Sequence, residues 1–276
     1  MSFDLNTKEF VIIGPCSLES WEQMAPIAQL ADKYQVPYLR TPLFKPRTHP
    51  DSFQGLGAEG LNILKQIRTN YPDLKFVAEV GSLEQLLIVR ESVEMIQIGA
   101  RNMQNFELLK SIGQNYQNQF VMLKRGWGNN LKEWLASAQY LVNYGVDAKK
   151  IILCERGTRN ACAPAQVTLD FALALKAKQM SHFHVIIDPS HGTSDRSMVL
   201  PMAEVATALN FDGLMIECHP YPNESYSDAH QALGLEELEI FLGQNLMLRQ
   251  TAAYDETAPQ LKIINKNFDD FDNRHA

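Results

Sequence analysis

Eight short apolar runs recur along the chain and alternate with amphipathic stretches, and this alternation limits the fold more than any other feature. Each run is rich in Val, Ile, Leu or Phe, which is typical of strands buried on both faces of a parallel sheet. The runs begin at Phe10, Val36, Lys75, Met95, Phe120, Lys150, His184 and Gly213. The stretches between them have the i, i+3, i+4, i+7 apolar spacing of helices. They cover residues 21–34, 55–71, 83–92, 104–112, 131–145, 166–178, 198–210 and 233–242.

Strands that alternate with helices predict parallel βα units, and therefore an α/β fold. Eight such units in 276 residues predict a single (β/α)8 TIM barrel. We expect the catalytic barrel to occupy residues 1–250, and residues 251–276 to form a polar tail that is not a separate domain. An open, doubly wound sheet is the alternative, but no G-x-G-x-x-G motif follows the first strand.

Composition excludes some classes of partner. The net charge is -7 and there is no basic tail, which argues against nucleic acid as the main partner. No apolar run reaches the roughly 18 residues of a membrane helix. The first ten residues lack the pattern of a signal peptide, so we expect a cytoplasmic protein with no membrane partner.

A charged or reactive residue stands at the end of each of the eight predicted strands. In a closed barrel all of these ends open onto the face where active sites lie. The alternative is that these side chains merely face solvent. That would explain a polar residue at one or two strand ends, but it is a weaker explanation for one at all eight. The residues are Cys16, Arg40 with Lys45, Glu79, Arg101, Lys124, Arg156, His191 and Glu217.

Seven cations cluster at or just after these strand ends in a chain that is acidic overall. Phosphates and carboxylates explain such a cluster, because guanidinium groups bind them through paired hydrogen bonds; a surface ion pair is the alternative for each cation. Adjacent strand residues point to opposite sides, so only one residue of a neighbouring pair points inward. Of Lys124 and Arg125 we favour Lys124 as the inward residue, and of Glu155 and Arg156 we favour Arg156. Arg125 is kept as a second choice. The seven are Arg40, Lys45, Arg47, Arg101, Lys124, Arg125 and Arg156.

A second group consists of Cys16, His191, Glu217 and Asp228, whose long spacing fits no short zinc motif. The four side chains converge only if the barrel makes its first, seventh and eighth strands neighbours. Such a set suits a divalent ion of manganese, iron, cobalt or zinc. The alternatives are that Cys16 is a core residue, that His191 acts as an acid–base group without metal, and that Asp228 caps the last helix.

Eight motifs in this order resemble the DAHP (3-deoxy-heptulosonate 7-phosphate) synthases, in particular the short bacterial type related to KDO8P (3-deoxy-octulosonate 8-phosphate) synthases. The resemblance runs from about residue 11 to residue 233, and each motif lies at the end of a predicted strand or in the loop after it. The motifs are GPCS (14–17), FKPRT (44–48), SFQGLG (52–57), IGARNMQNF (98–106), LKRG (123–126), CERG (154–157), DPSH (188–191) and E-x-H-P (217–220).

The resemblance implies a metal-dependent barrel enzyme that condenses phosphoenolpyruvate with erythrose 4-phosphate and releases phosphate, in the first step of the shikimate pathway to aromatic amino acids. It implies that the metal ligands are Cys16, His191, Glu217 and Asp228. It also implies that phosphoenolpyruvate binds Lys45, Arg101, Lys124 and Arg156 with Arg40 nearby, and that the sugar phosphate binds Arg47 and Thr48.

Lys45 and His191 are the expected catalytic residues, with Lys45 protonating the new alkoxide. Neighbouring arginines predict a lowered pKa for Lys45. Without its metal, Cys16 is predicted to be an exposed thiol whose pKa is lowered by the cationic pocket.

Two features depart from the family pattern. Residues 158–170 read TRNACAPAQVTLD, where relatives usually carry an Arg-Asn pair close before T-L-D. We expect a homo-oligomer, a dimer or tetramer, whose contacts between subunits differ from those of relatives in this segment. Relatives often carry a regulatory or chorismate mutase domain, for which a first strand near Phe10 leaves no room; a separate chorismate mutase is a candidate partner.

Two rival functions stay open, a KDO8P synthase that uses arabinose 5-phosphate and a non-catalytic sensor of phosphometabolites. The spacing of Lys45 and Arg47 favours the shorter sugar, because Pro46 holds these two cations at a short, rigid separation. The KDO8P enzymes resemble K-A-N-R-S here, with the Arg three residues after the Lys.

Overall fold

A computed structural model describes residues 10–159 and 167–247 and shows a closed barrel of eight parallel strands. The predicted (β/α)8 barrel is therefore confirmed, and the open-sheet alternative is wrong. Strand β10 pairs with both β1 and β9, which closes the barrel. The barrel strands are β1 (Phe10–Gly14), β2 (Tyr38–Arg40), β3 (Lys75–Val80), β4 (Met95–Ile98), β5 (Phe120–Lys124), β6 (Ile151–Glu155), β9 (His184–Ile187) and β10 (Gly213–Glu217). Between β6 and β9, β7 (Thr158–Arg159) and β8 (Val167–Thr168) form a separate antiparallel pair.

Helices follow the strands and pack around the barrel. Many begin at a Ser, Asn or Asp whose side chain accepts a backbone N–H of the first turn, as Ser20 does for α1 and Asn130 for α5. The helices are α1 (Trp21–Lys33), α2 (Leu61–Asn70), α3 (Leu83–Val89), α4 (Phe106–Gln114), α5 (Leu131–Asn143), α6 (Phe171–Met180), α7 (Pro189–Thr193), α8 (Arg196–Ala208) and α9 (Leu235–Met247).

Four predicted helix starts were too early, those of α4 and α9 only slightly and those of α2 and α6 by more than one helical turn. Helix α2 begins only at Leu61, after a 3-10 turn over Gly57–Gly60. Helix α6 begins at Phe171 because Asp170 caps it, and the preceding Val167–Thr168 pairs with β7 instead. The predicted tail, residues 251–276, lies outside the described residues, as do residues 160–166 of the departing segment. No helix in the described ranges has both the length and the apolar character needed to cross a bilayer.

The period-two alternation of the strands creates two apolar layers. One set of side chains, including Ile12, Met122 and Met215, fills the inside of the barrel. The alternate set, including Ile13, Leu123 and Ile216, packs against the helices. The inner layers end in polar residues at the carboxyl ends of the strands, so the barrel supports a site at that face.

Candidate metal and anion site

A layer of buried polar side chains closes the inside of the barrel at its carboxyl end. Lys124 follows the inward-facing Met122 by two residues, and Glu217 follows Met215 in the same way, so both point inward. Arg125 follows the inward-facing Lys124 and Glu155 follows the inward-facing Cys154, so both side chains point to the outer face of the strands. The inward residues of this layer are Arg40, Glu79, Gln97, Lys124, Asp188 and Glu217.

Four side chains near the first, ninth and tenth strands meet at this layer. The ligand atoms of Cys16, His191, Glu217 and Asp228 all lie within 4.8 Å of one another. Cys16 Sγ is 2.7 Å from Asp228 Oδ2, and His191 Nε2 is 3.3 Å from Glu217 Oε1. A thiol, an imidazole and two carboxylates this close together fit a divalent ion of the borderline type.

Local backbone geometry brings these donors together. A Cβ on Gly14 would lie 2.5 Å from the carbonyl oxygen of Arg40, so only glycine allows β1 to end this close to β2. Cys16 follows two residues later. Asp228 adopts a left-handed conformation, with φ of 52°, which Asp tolerates better than most residues. Because α9 begins only at Leu235, the alternative that Asp228 caps this helix is wrong.

A second set of contacts orients His191. Its Nδ1 lies 2.8 Å from Asp188 Oδ2, and the same oxygen accepts a 2.8 Å hydrogen bond from Lys124. Burial would raise the pKa of Asp188, but His191 and Lys124 hold it well below its usual range. Burial lowers the pKa of His191, although Asp188 and Glu217 oppose this. The lowered pKa favours the neutral imidazole that metal binding requires, and Nε2 is directed at Glu217.

Glu217 is held at both carboxylate oxygens. Arg40 donates to one oxygen and Gln231 to the other. Burial would raise the pKa of Glu217, but the nearby His191, Arg40 and Lys45 outweigh it and the pKa is lowered. Glu217 is thus an oriented carboxylate anion.

Two pKa predictions were wrong. Burial would lower the pKa of Lys45, but Cys16, Glu79 and Asp228 outweigh it and the pKa is raised. Burial, with the charge of Glu217, raises the pKa of Cys16 to about 12. In both cases the sequence drew attention to nearby arginines, whereas the atoms closest to these groups include carboxylates. Lys45 Nζ donates to Cys16 Sγ at 2.6 Å and lies 3.6 Å from Asp228 Oδ2.

An open pocket of about 900 Å³ lies beside the metal-donor set. Arg101 donates to Thr48 Oγ1 at 3.3 Å across it. Arg156 is buried, and its Nη1 has no hydrogen-bond partner among the described residues. The residues lining the pocket include Lys45, Arg47, Thr48, Arg101, Arg156, Arg159, His191 and Asp228. Asp228 is the one carboxylate among the described residues of this lining, so the pocket suits an anion.

The predicted cations separate into two groups. Arg40, Lys124 and Arg125 are buried and pair with carboxylates, and none of the three lines the pocket. Arg125 pairs with Glu155 through two contacts of 2.5 and 2.9 Å, behind the strands. Lys45, Arg47, Arg101 and Arg156 line the pocket itself.

Several residues of the site escaped the sequence prediction, including the pocket-lining Arg159. Asp188 stands in the DPSH motif directly after a strand, a position that could have indicated it. Trp127 directly follows LKRG and lines the pocket. Gln231 lies in a loop with no distinctive pattern, so only the structure identifies its contact with Glu217.

The fold and the site together define a (β/α)8-barrel protein with a metal-donor set and a cationic pocket at its carboxyl face. The chain belongs to the DAHP synthetase I family, whose model matches residues 5–252. It is 40% identical over 226 residues to the phospho-2-dehydro-3-deoxyheptonate aldolase of Thermotoga maritima, which covers 82% of this chain and 65% of that protein. The chain thus spans slightly less than two thirds of that relative's length.

Relatives of lower sequence identity carry the name of a different activity. The 2-dehydro-3-deoxyphosphooctonate aldolases of Shewanella sediminis and Haemophilus influenzae are each 28% identical to this chain. Both alignments cover 87% of this chain and 89% of the relative.

Solved structures match across most of the chain. The crystal structure of the phospho-2-dehydro-3-deoxyheptonate aldolase (DAHP synthase) of Thermotoga maritima has a TM-score of 0.81 at 38% identity, covering 87% of this chain and 69% of that one. A truncated form of 3-deoxy-D-arabino-heptulosonate 7-phosphate synthase from Thermotoga maritima has a TM-score of 0.78 at 34% identity. That match covers 89% of this chain and 88% of the truncated form.

Proposed function

We propose that the protein is a DAHP synthase that condenses phosphoenolpyruvate with erythrose 4-phosphate and releases phosphate. One observation carries this proposal: the four metal donors lie beside a pocket lined by Arg47, Arg101 and Arg156, which form no ion pair with a carboxylate of the described residues. Family membership and the relative that is 40% identical point to the same activity.

We assign the metal to Cys16, His191, Glu217 and Asp228. A bound divalent ion would act as a Lewis acid toward the aldehyde oxygen of the sugar. Asp188 sets the tautomer of His191, and Arg40 with Gln231 fixes the carboxylate of Glu217. The ion is one of manganese, iron, cobalt or zinc, since all four accept nitrogen, oxygen and sulfur donors.

We assign phosphoenolpyruvate to the cations on the side of the pocket formed by Arg101 and Arg156. The Arg156 guanidinium is buried with an unpartnered Nη1, which a phosphate or carboxylate oxygen would satisfy. Lys124 and Arg40 belong to the buried layer beneath the pocket, where they pair with Asp188 and Glu217 and support the site from below. Together these groups hold the anion in reacting geometry and supply proximity catalysis.

Lys45 is our choice for the general acid. It lies beside Cys16 and Asp228 and also lines the pocket, so it faces both the metal donors and the substrates. Its raised pKa keeps it protonated at neutral pH, ready to give a proton to the alkoxide formed from the aldehyde. Arg125, held behind the strands by Glu155, supports the site as a structural ion pair.

The sugar phosphate is assigned to Arg47 and Thr48. Thr48 accepts a hydrogen bond from Arg101, which joins the two anion-binding parts of the pocket. Pro46 keeps Lys45 and Arg47 at a short separation, which suits the shorter sugar, erythrose 4-phosphate. Relatives that are 28% identical are named 2-dehydro-3-deoxyphosphooctonate aldolase, so KDO8P synthase activity is the alternative to be tested.

One assay tests the proposal. Phosphate release from phosphoenolpyruvate is measured with erythrose 4-phosphate or arabinose 5-phosphate, before and after treatment with a chelator and after addition of each metal. We expect metal-dependent turnover with kcat/KM more than about tenfold higher for erythrose 4-phosphate, since one lost charge-assisted contact costs about 2 kcal/mol. A preference for arabinose 5-phosphate indicates the KDO8P activity, and no turnover with either sugar indicates a sensor.

The expected homo-oligomer, the cytoplasmic location and a separate chorismate mutase partner stay predictions. Size-exclusion chromatography with light scattering measures the first of these directly.

A further inference from the structure

The side chain of Trp127 lies at the centre of the cationic wall of the pocket. It follows β5 in the loop that leads to α5, is half-buried, and lines the pocket. Three guanidinium groups approach its ring, with distances to the ring centroid of 4.8 Å for Arg101, 5.2 Å for Arg156 and 4.7 Å for Arg159. Each distance is within the range of a cation–π interaction.

These three arginines differ from three other buried or partly buried cations at this end of the barrel. Arg40, Lys124 and Arg125 each pair with a buried carboxylate. In residues 10–159 and 167–247, no carboxylate forms an ion pair with Arg101, Arg156 or Arg159. The negative face of one indole ring is therefore the feature that these like charges share.

The backbone of Trp127 also fixes the strand that carries Arg159. The Trp127 carbonyl oxygen accepts a 2.6 Å hydrogen bond from Thr158 Oγ1 and a 3.2 Å hydrogen bond from Arg159 N. These contacts hold β7 against the loop after β5, which brings the Arg159 side chain over the ring. Since they involve only the main chain of Trp127, a change of its side chain leaves them in place.

We propose that Trp127 is a positioning residue that arranges Arg101, Arg156 and Arg159 as one anion-binding wall, and that Arg159 is a further contact for phosphoenolpyruvate. The ring face orients three guanidinium groups without neutralising them, unlike a carboxylate, which would cancel charge that the substrate needs. A substrate phosphate or carboxylate then completes the pairing. This inference rests on the proposed function, because it assumes that phosphoenolpyruvate is the anion bound at the wall.

The test compares Trp127→Leu, which removes the ring, with Trp127→Phe, which keeps a smaller aromatic face. We expect Trp127→Leu to raise KM for phosphoenolpyruvate about tenfold, equivalent to about 1.4 kcal/mol, with kcat changed less than about threefold. Trp127→Phe should recover most of this loss. A purely structural role would instead lower kcat and stability in both variants.

Fluorescence gives an independent measurement, since the chain has three tryptophans. Titration with phosphoenolpyruvate should change the emission of the wild type and of Trp21→Phe, a control on the outer helix α1, but not that of Trp127→Phe. An unchanged KM in Trp127→Leu, or an equal loss in both Trp127 variants, overturns the proposal. So does an emission change that persists in Trp127→Phe.

The two proposals fail separately. If the wild type turns over both substrates and Trp127→Leu behaves like it, only the role of Trp127 is refuted. If the wild type does not use phosphoenolpyruvate, the proposed function fails, and calorimetry with inorganic phosphate then tests the wall. Weaker phosphate binding in Trp127→Leu than in the wild type supports the wall, and equal binding overturns it.

Discussion

Replacing Asp188 with asparagine tests how much the metal site depends on its supporting contacts. Asp188 is fully buried, and its Oδ2 lies 2.8 Å from both Lys124 Nζ and His191 Nδ1. Its Oδ1 accepts the backbone N–H of His191 at 3.0 Å, which an amide oxygen can also do. The substitution keeps the shape of the side chain, but it removes the charge and turns an amide N–H₂ toward two donors.

Two magnitudes follow from these contacts. Lys124 becomes a buried cation without its partner, and breaking a buried pair in this way costs about 3–5 kcal/mol of stability. His191 Nδ1 must then accept a hydrogen bond from the new amide, so the imidazole proton moves to Nε2, the atom directed at the other metal donors. Loss of such a supporting carboxylate lowers metal affinity by about 10–100-fold.

The measurements are metal affinity, by competition with a chromogenic chelator, and unfolding of the metal-free protein in urea. In the double variant Lys124→Met/Asp188→Asn we expect stability to recover in part and metal affinity to stay low. Asp195→Asn is the matched control, because Asp195 is exposed and caps α8, a role that asparagine fills equally well. If folded Asp188→Asn binds metal within about twofold of the wild type, Asp188 does not orient the imidazole in the way we infer.

Three further predictions follow from the site. Cys16→Ala should lose bound metal, as measured by elemental analysis, while its circular dichroism stays native; full metal content would exclude Cys16 as a ligand. Lys45→Met should lower kcat by about 10²–10⁴-fold, and a kcat near that of the wild type would exclude it as the general acid. Arg125→Met should lose about 3–5 kcal/mol in urea unfolding because Glu155 stays buried. Adding Glu155→Gln, which removes the charge but keeps an acceptor for the backbone N–H groups of Gly157 and Asp170, should restore part of it; no loss in the single variant would contradict a structural ion pair.

The order of strands and helices was readable from the sequence because it depends on local periodicity. Apolar runs predicted the eight barrel strands, and amphipathic spacing predicted the helices between them. The same period of two explains why Lys124 points inward while Arg125 points outward to meet Glu155. Each of these results depends on residues that are neighbours in the chain.

Only the tertiary structure decided how the site works electrostatically. Cys16 and Asp228 are 212 residues apart in the chain, and their 2.7 Å contact depends on closure of the barrel and on the left-handed turn at Asp228. The pKa of Lys45 is raised rather than lowered because Cys16, and after it the carboxylates of Glu79 and Asp228, lie near it although they come from distant segments. A charge is stabilised or destabilised by what surrounds it in space, and the sequence shows only that both signs are present.

The arrangement around Trp127 has the same origin. Its three arginines come from the segments that follow β4 and β6 and from β7, and nothing in their spacing indicates a shared ring. The sequence determined which chemical groups stand at the strand ends, because strand polarity is a local property. Which cations pair with carboxylates and which stay available for an anion was decided by the closed barrel, since pairing requires contacts between segments far apart in the chain.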